Sequence, residues 1–307
     1  MGNFNYTVLH LHTDDSMLDS ATKYIDYVDR AVELGQKAIC FTEHGNMYHH
    51  LKKRMYCEEK GIKYLHGIEC YLTETLDENI RDNYHTILIA KNDEGVIELN
   101  NAIAKTTQED HFYYKPRMSF DEFFELSNNI IKLSACLASP LWGFKKRIER
   151  LREEGQDTTI LMDKYIKLLK HYDYYEIQYH NVEEQKEYNK YLYKLSKQYH
   201  KPLVMTTDTH SLNNYKAECR IVLKYGKTDG DWGDSENKFD LTYKSYDELI
   251  ECVKEQDCIP YEVYLEAIEN TNKIANSVEY SPIDTVVKYP ILYDGKDEEK
   301  IMWDRIK

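Results

Sequence analysis

Val8–Thr13 reads VLHLHT, and positions 14–19 continue it as DDSMLD. The density of Val and Leu predicts a buried strand, and the period of two puts His10 and His12 on one face of it. Working outward, six more short runs rich in Ile, Leu, Val and Tyr carry ionisable residues in the same way. They are AICFTEH (Ala38–His44), YLHGIECY (Tyr64–Tyr71), YHTILIA (Tyr84–Ala90), IIKLSAC (Ile130–Cys136), YEIQYH (Tyr175–His180) and LVMTTDTH (Leu203–His210). Runs this apolar fit parallel strands buried on both faces. Between them lie amphipathic segments. Tyr24, Ile25, Val28, Ala31 and Val32 form one stripe stopped by Gly35. Ile160, Leu161, Tyr165, Leu168 and Leu169 form a second, and Tyr188, Tyr191, Leu192, Leu195 and Tyr199 a third. Strand–helix alternation through seven strands predicts an α/β fold in which a parallel sheet closes into a barrel with helices outside.

After His210 the pattern turns to helices alone, near Tyr215–Tyr225, Ser245–Lys254 and Tyr261–Ser277, with a polar loop at Gly226–Lys238. The expected organisation is a barrel over residues 1–212, a helical extension packed on it over 213–293, and a loosely held charged tail over 294–307. Lys and Arg total 40 and Asp and Glu 54, a net charge of −14, with 42% apolar residues. That apolar share excludes a disordered chain, and the acidic balance excludes a protein that coats nucleic acid by charge alone. Seven dispersed cysteines without a CxxC pair read as reduced thiols. With no apolar run long enough to span a bilayer and no secretory pattern at the start, a cytoplasmic location is expected, in a bacterial or phage-infected cell.

Metal-ligand residue types concentrate where the strands end. His10 and His12 lie in the first strand, with Asp19 in the turn beyond. His44 ends the second, Glu69 sits near the end of the third, His85 lies in the fourth and Cys136 ends the fifth. His180 ends the sixth, and Asp208 and His210 end the seventh. In a parallel barrel these positions converge on one mouth. Imidazole, carboxylate and thiolate are the donors for Zn, Mn or Fe, and there are too many for one four-coordinate ion. Two or three divalent ions follow, and clustered divalent ions suit displacement at phosphorus.

The stretches LHLHTDDSMLD, AICFTEHGNMYHH, GIKYLHGIECYL, NYHTILIAKNDEG, FYYKPRMSFDEF, LSACLA, YYEIQYHNVEEQ and KPLVMTTDTHSL, spread over residues 6–280, resemble a known family. It is the PHP (polymerase and histidinol phosphatase) domain at the N-terminus of bacterial C-family DNA polymerases, the polymerase III alpha subunits. The resemblance implies a distorted (βα)7 barrel with a helical C-terminal extension and a trinuclear site of nine ligands. His10, His12, Glu69 and Asp208 would hold one ion, Glu69 would bridge to a second shared with His85 and Cys136, and Asp19, His44 and His210 would hold the third. Glu43 stands where members more often have Asp. The resemblance ends where polymerase sequences enter the palm, so polymerisation is not expected of this chain alone.

The function expected is metal-dependent phosphodiester hydrolysis on nucleic acid, as a 3′–5′ exonuclease acting on single-stranded DNA or a 3′ end. A polymerase or replication protein is the expected partner, and no membrane is involved. Glu69, Asp208 and His180 are the catalytic candidates, and Lys115 and Arg117 the phosphate-binding ones. The alternatives are a phosphatase acting on a small phosphomonoester and a non-catalytic polymerase-docking module. Metal analysis with digestion of labelled single-stranded DNA and of p-nitrophenyl phosphate separates the three, and His12→Ala and Asp208→Ala show whether any nuclease activity belongs to this site.

Overall fold

The computed structural model describes residues 5–77, 80–227, 238–286 and 297–306. Eight strands form among them: β1 (Ala38–Phe41), β2 (Lys63–Thr73), β3 (Tyr84–Ala90), β4 (Phe112–Tyr113), β5 (Lys115–Ser119), β6 (Ile130–Leu133), β7 (Tyr175–Gln178) and β8 (Leu203–Thr206). The helices interleaved with them are α1 (Tyr24–Glu33), α2 (His50–Glu59), α3 (Asp93–Thr106), α4 (Phe120–Glu125), α5 (Pro140–Glu153), α6 (Thr159–His171) and α7 (Glu183–Tyr199). The helices α8 (Asn214–Lys227), α9 (Tyr246–Gln256), α10 (Tyr261–Ser277) and α11 (Glu298–Ile306) follow.

The α/β architecture matches the expectation, but the sheet is mixed rather than parallel. β1 and β5 run parallel to β2, whereas β3 is antiparallel to both β2 and β6. The reason lies in the connection: about ten residues separate Thr73 from Tyr84, too few for a crossover helix, so the chain must double back. β7 and β8 pair in parallel as a separate two-stranded sheet. The barrel is not closed by continuous ladders. Single bridges Leu133↔Tyr174, Leu11↔Thr209 and Val8↔Ile39 span the gaps.

The expected first strand, Val8–Thr13, is an extended segment rather than a regular strand. Its Leu11 amide donates to the Thr42 hydroxyl (2.8 Å) instead of a carbonyl, which interrupts the ladder. Main-chain bonds still hold it on both sides, from Cys40 N to Val8 O and from His12 N to Thr209 O. The pair β4–β5 is short and was not anticipated. Some helical stripes are narrower than the pattern implied: Ile25, Val32 and Ile160 are exposed, while Tyr27, Val28 and Ala31 carry the inner face of α1.

One buried cluster explains what the strands share. Leu65 of β2, Ile87 and Ile89 of β3, Ile131 and Leu133 of β6 and Val204 of β8 pack together, closed by Ile274, Ala275 and Val278 at the end of α10. On β2 the same period-two face runs from Leu65 through Gly67 to Glu69, so apolar residues fill the floor and ionisable ones face the mouth. α10 is tied to this floor by Asn270 Nδ2 donating to Leu203 O (2.7 Å), by Thr7 N donating to Thr271 Oγ1 (3.0 Å) and by Lys63 Nζ donating to Ala275 O (2.7 Å). The expected 213–293 extension is therefore interleaved with the barrel floor through α10. Gly226–Lys238 falls mostly outside the described residues. Within the expected charged tail, residues 298–306 form α11, with no buried residue.

Because Ile274 is 1% exposed and seals the floor, Ile274→Ala should lower the unfolding free energy by about 2–5 kcal/mol. Urea denaturation followed by circular dichroism checks this. A loss under about 1 kcal/mol would show that α10 does not close the core.

Candidate metal centre

β1, β6, β7 and β8 deliver their ionisable residues two to four positions beyond their C-terminal ends, at His44, Cys136, His180, and Asp208 with His210. Glu69, by contrast, lies within β2, and His85, against expectation for a parallel strand, at the start of the antiparallel β3. β1 stops at Phe41, but Glu69 N to Glu43 O (3.1 Å) and Gly45 N to Glu69 O (2.9 Å) carry the pairing on to His44. Gly45 adopts φ +63°, and a Cβ there would meet Pro116 Cγ at 2.6 Å, so only glycine lets the chain turn away from His44. Ala135 and Asp208 also take left-handed backbone conformations, at φ 59° and 45°. Strain of this kind, in residues with a Cβ, ends the strands and turns Cys136 and Asp208 over the mouth.

The structure brings His10, His12, Asp19, His44, Glu69, His85, Cys136, Asp208 and His210 into one continuous set of contacts. His10 Nε2 lies 3.4 Å from Glu69 Oε1 and 3.2 Å from Asp208 Oδ1, and His12 Nε2 is 3.5 Å from Glu69 Oε2 and from Asp208 Oδ1. Glu69 continues to His85 Nδ1 (2.8 Å), which is 3.8 Å from Cys136 Sγ. Asp19 Oδ2 faces His44 Nε2 (2.9 Å) and His210 Nε2 (3.3 Å). The His12 ring stacks between those of His44 (4.1 Å) and His210 (4.3 Å), so His12 belongs to two of the groupings rather than one. His44 likewise reaches across, with Nδ1 2.5 Å from Glu69 Oε2.

The electrostatics are those of a set awaiting positive charge. Burial alone would lift the Glu69 carboxyl, but the imidazoles of His85, His44 and His10 hold it well below the usual carboxylate range. Asp208 and Asp19 behave likewise, burial being outweighed by His10 and His12 at one and by His210, His44 and Arg220 at the other. Burial and the neighbouring His44 and His210 push His12 down to about 3, which leaves it a neutral imidazole. His44 and His10 move the other way. Burial opposes protonation, yet Glu69 and Asp19 raise His44 to about 9, and Asp208, Glu176 and Glu69 raise His10. Burial, then the charges of Asp208 and Glu69, pushes the Cys136 thiol up, so only a nearby cation would favour its thiolate.

The donor set fits divalent ions on a specific observation. His10 Nε2 and His12 Nε2 are buried and make no well-directed hydrogen bond among the described residues, and His44 Nδ1 and Glu69 Oε2 stand 2.5 Å apart without the alignment of one. The tautomers agree. Ser16 Oγ donates to Glu43 Oε2 (2.6 Å), so the His12 Nδ1 beside it (3.0 Å) must be the donor, leaving the Nε2 lone pair bare. Glu176 Oε1, 2.7 Å from His10 Nδ1, fixes His10 in the same sense and also accepts from Thr206 Oγ1 (2.5 Å).

Several supporting residues were not singled out from sequence. Glu176 lies two positions before Gln178 and four before His180, on one face of β7, a period-two signal that was readable. Glu43 is buried and accepts from Thr13, Ser16 and the buried Lys53 Nζ (2.7 Å), and Lys53 also meets Asp15 (2.9 Å). Arg220 and Lys224 of α8 both reach Asp19 Oδ1, at 2.8 and 2.6 Å. Nothing local in the sequence marks those two, because the contact spans about two hundred residues.

The substrate-contact candidates separate. His180 lines the cleft over the cup. Arg117 does not: it is 1% exposed, and its guanidinium donates to the main-chain carbonyls of His111, Leu76, Asp77 and Ile80. This corrects its expected role, because those donors already hold a loop together. Lys115 Nζ sits over the Tyr71 ring (4.9 Å), which in turn packs edge-on against His85 (5.1 Å), so it stands one ring behind the cup.

Two predictions follow from this geometry. Ligating imidazoles must be neutral, so uptake of a divalent ion near pH 7 must displace protons held by His44 and His10. Apparent affinity for Zn or Mn should therefore climb from pH 6 to pH 9, with proton release seen as a buffer-dependent heat in calorimetry. A pH-independent affinity would contradict this. Glu176→Gln should weaken metal affinity by about 10–100-fold while leaving the fold intact, as read by metal titration alongside circular dichroism. Unchanged affinity would remove Glu176 from the site.

Known proteins show the same stretches. The chain is 32% identical over 230 residues to DNA polymerase III subunit alpha of Aquifex aeolicus, covering 71% of this chain and 19% of that one. It is 30% identical over 279 residues to the corresponding subunit of Borreliella burgdorferi, covering 88% of this chain and 23% of the relative. The chain thus spans about a fifth of the length of these relatives. Among solved structures, a protein from Bifidobacterium adolescentis provisionally assigned as a metal-dependent phosphoesterase superposes with a TM-score of 0.45 at 14% identity. That match covers 67% of this chain and 87% of the other. The PHP domain model matches residues 9–180, more than half of the chain and nearly all of the strands that build the cup, so this chain belongs to the PHP domain family.

Proposed function

We propose that this chain is a metal-dependent phosphoesterase that hydrolyses phosphodiester bonds of nucleic acid, acting as a 3′–5′ exonuclease. The observation that carries the reading is the set of buried imidazole and carboxylate atoms crowded around Glu69 without well-directed hydrogen bonds among the described residues. Two or three divalent ions, Zn, Mn or Fe, would be held by His10, His12, Asp19, His44, Glu69, His85, Cys136, Asp208 and His210. Bound ions of this class supply Lewis-acid charge to phosphoryl oxygens and a nucleophile at neutral pH.

The protein's own groups do the rest. Glu69 and Asp208 hold the cup's negative charge against three imidazoles, and Glu176 and Ser16 fix the tautomers of His10 and His12. Arg220 and Lys224 line the same cleft as the ligands and bring two cations to the mouth of a chain whose net charge is −14. Both are paired with Asp19, so together with bound divalent ions they would offset the cup's carboxylates and let it accept an anionic substrate that the protein as a whole repels. The similarity to polymerase III alpha subunits supports nucleic acid as the substrate and a replication polymerase as the partner that holds it, in the cytoplasm. His180, buried in the cleft wall, is the remaining catalytic candidate.

With Mn or Zn present, the protein should shorten 5′-labelled single-stranded DNA one nucleotide at a time from the 3′ end, and a 3′-protected strand should resist it. His12→Ala and Asp208→Asn should each reduce that rate by about 10³-fold or more. Gel analysis of labelled oligonucleotides, with p-nitrophenyl phosphate in parallel, reads both. Turnover of p-nitrophenyl phosphate alone would favour a small phosphomonoester as substrate. Metal binding with no turnover of either would favour a docking module.

A further inference from the structure

The cleft above the cup, about 630 Å3 including the solvent in its mouth, has two unlike walls. Arg220 and Lys224 make one. Gln178, His180, Gln185, Leu137, Phe239 and Leu241 make the other, in which His180 is the one titratable group. Burial pushes His180 down to about 4 in spite of Asp208 and Asp240, so at neutral pH it presents one donor and one acceptor.

This neutral wall is unfinished. His180 is 2% exposed, and neither of its ring nitrogens has a partner among the described residues. Gln185 is fully buried, and its Oε1 is also without a partner. The orientation of the Gln185 amide is fixed by a network. Asn189 Nδ2 donates to Gln178 O (2.7 Å) and to Gln256 Oε1 (2.9 Å), so Asn189 Oδ1 must be the acceptor that takes Gln185 Nε2 (2.9 Å). The oxygen left over can only accept. The phosphate of a nucleotide, as a monoester dianion or a diester, brings no donor to it, whereas a sugar hydroxyl or a base N–H does. Beside them the Phe239 ring stands edge-on to His180 (5.2 Å, 85°) and, with Leu137 and Leu241, offers apolar surface to a flat or ring-shaped group.

We infer that this wall, His180 and Gln185 backed by Phe239, is a nucleoside subsite: it binds the sugar and base of the nucleotide whose phosphate lies over the cup. The inference rests on the phosphoesterase reading and names the organic part of its substrate. His180 hydrogen-bonds the nucleoside on one side, Gln185 Oε1 accepts from its hydroxyl or N–H, and the phosphate lies toward the cup. The cleft therefore selects nucleotides over inorganic phosphate and over esters of simple alcohols.

The test is binding, measured by calorimetry on the full, metal-loaded chain with thymidine 5′-monophosphate and with inorganic phosphate. The wild type should bind the nucleotide about tenfold or more tightly than phosphate. Gln185→Met and His180→Phe should each weaken nucleotide binding by about tenfold and move phosphate binding by less than about twofold. Thermal melting reports whether each variant folds, and either one alone suffices. Equal wild-type affinity for the two ligands, or an equal loss for both in a folded variant, would overturn the subsite. If the selectivity holds but no DNA is cleaved, the catalytic reading fails while the subsite stands. If DNA is cleaved without the selectivity, the subsite alone fails.

Discussion

Three carboxylates and five imidazoles crowd a single barrel mouth, most of them shielded from water, and several imidazole nitrogens make no well-directed hydrogen bond among the described residues. A buried polar atom without a partner costs about 1–3 kcal/mol, so such a set lowers stability unless something else completes it. The protein's own charges complete it only in part. Glu69, Asp208 and Asp19 stay ionised by leaning on imidazoles, which forces protons onto His10 and His44 while His12 is left bare between its neighbours. Divalent ions held by these residues would resolve that frustration, replacing protons on the imidazoles and satisfying the carboxylates at once. The rest of the site follows from that need: the left-handed turns at Ala135 and Asp208, the glycine after His44, and the carboxylates of Glu176 and Glu43 behind the front rank.

The fold separates its tasks along each strand. The lower half of the inward face is Leu, Ile and Val packed against the end of α10, and the upper half is imidazole and carboxylate. This division lets the core supply the stability that the cup withholds. It also explains why α8 matters to the chemistry: Arg220 and Lys224 reach Asp19 from a helix that follows the last strand, so the helical extension joins the cup wall as well as the floor.

Much of this was legible in the sequence because strand periodicity is short-range. His-x-His at positions 10 and 12 and Asp-x-His at 208 and 210 fall on common faces, and the run limits of β3 and α10 coincide with the pattern. The mixed direction of the sheet was missed because residue pattern encodes burial and not strand direction; the short Thr73–Tyr84 connection held that information. Arg117 was misread for a related reason. A cation in a loop looks available for phosphate until the main-chain carbonyls that surround it are known. Glu176 was visible as a period-two neighbour of His180, but its bond to His10 crosses 166 positions, and no local signal reports that.

Anomalous diffraction from crystals soaked in manganese and in zinc puts the central claim to the most direct test. The account predicts two or three peaks inside the cup, each about 2.0–2.3 Å from its ligand atoms, with His10 Nε2, His12 Nε2 and Glu69 among them. A cup filled only by water, its imidazoles turned to bond one another or solvent, would contradict it.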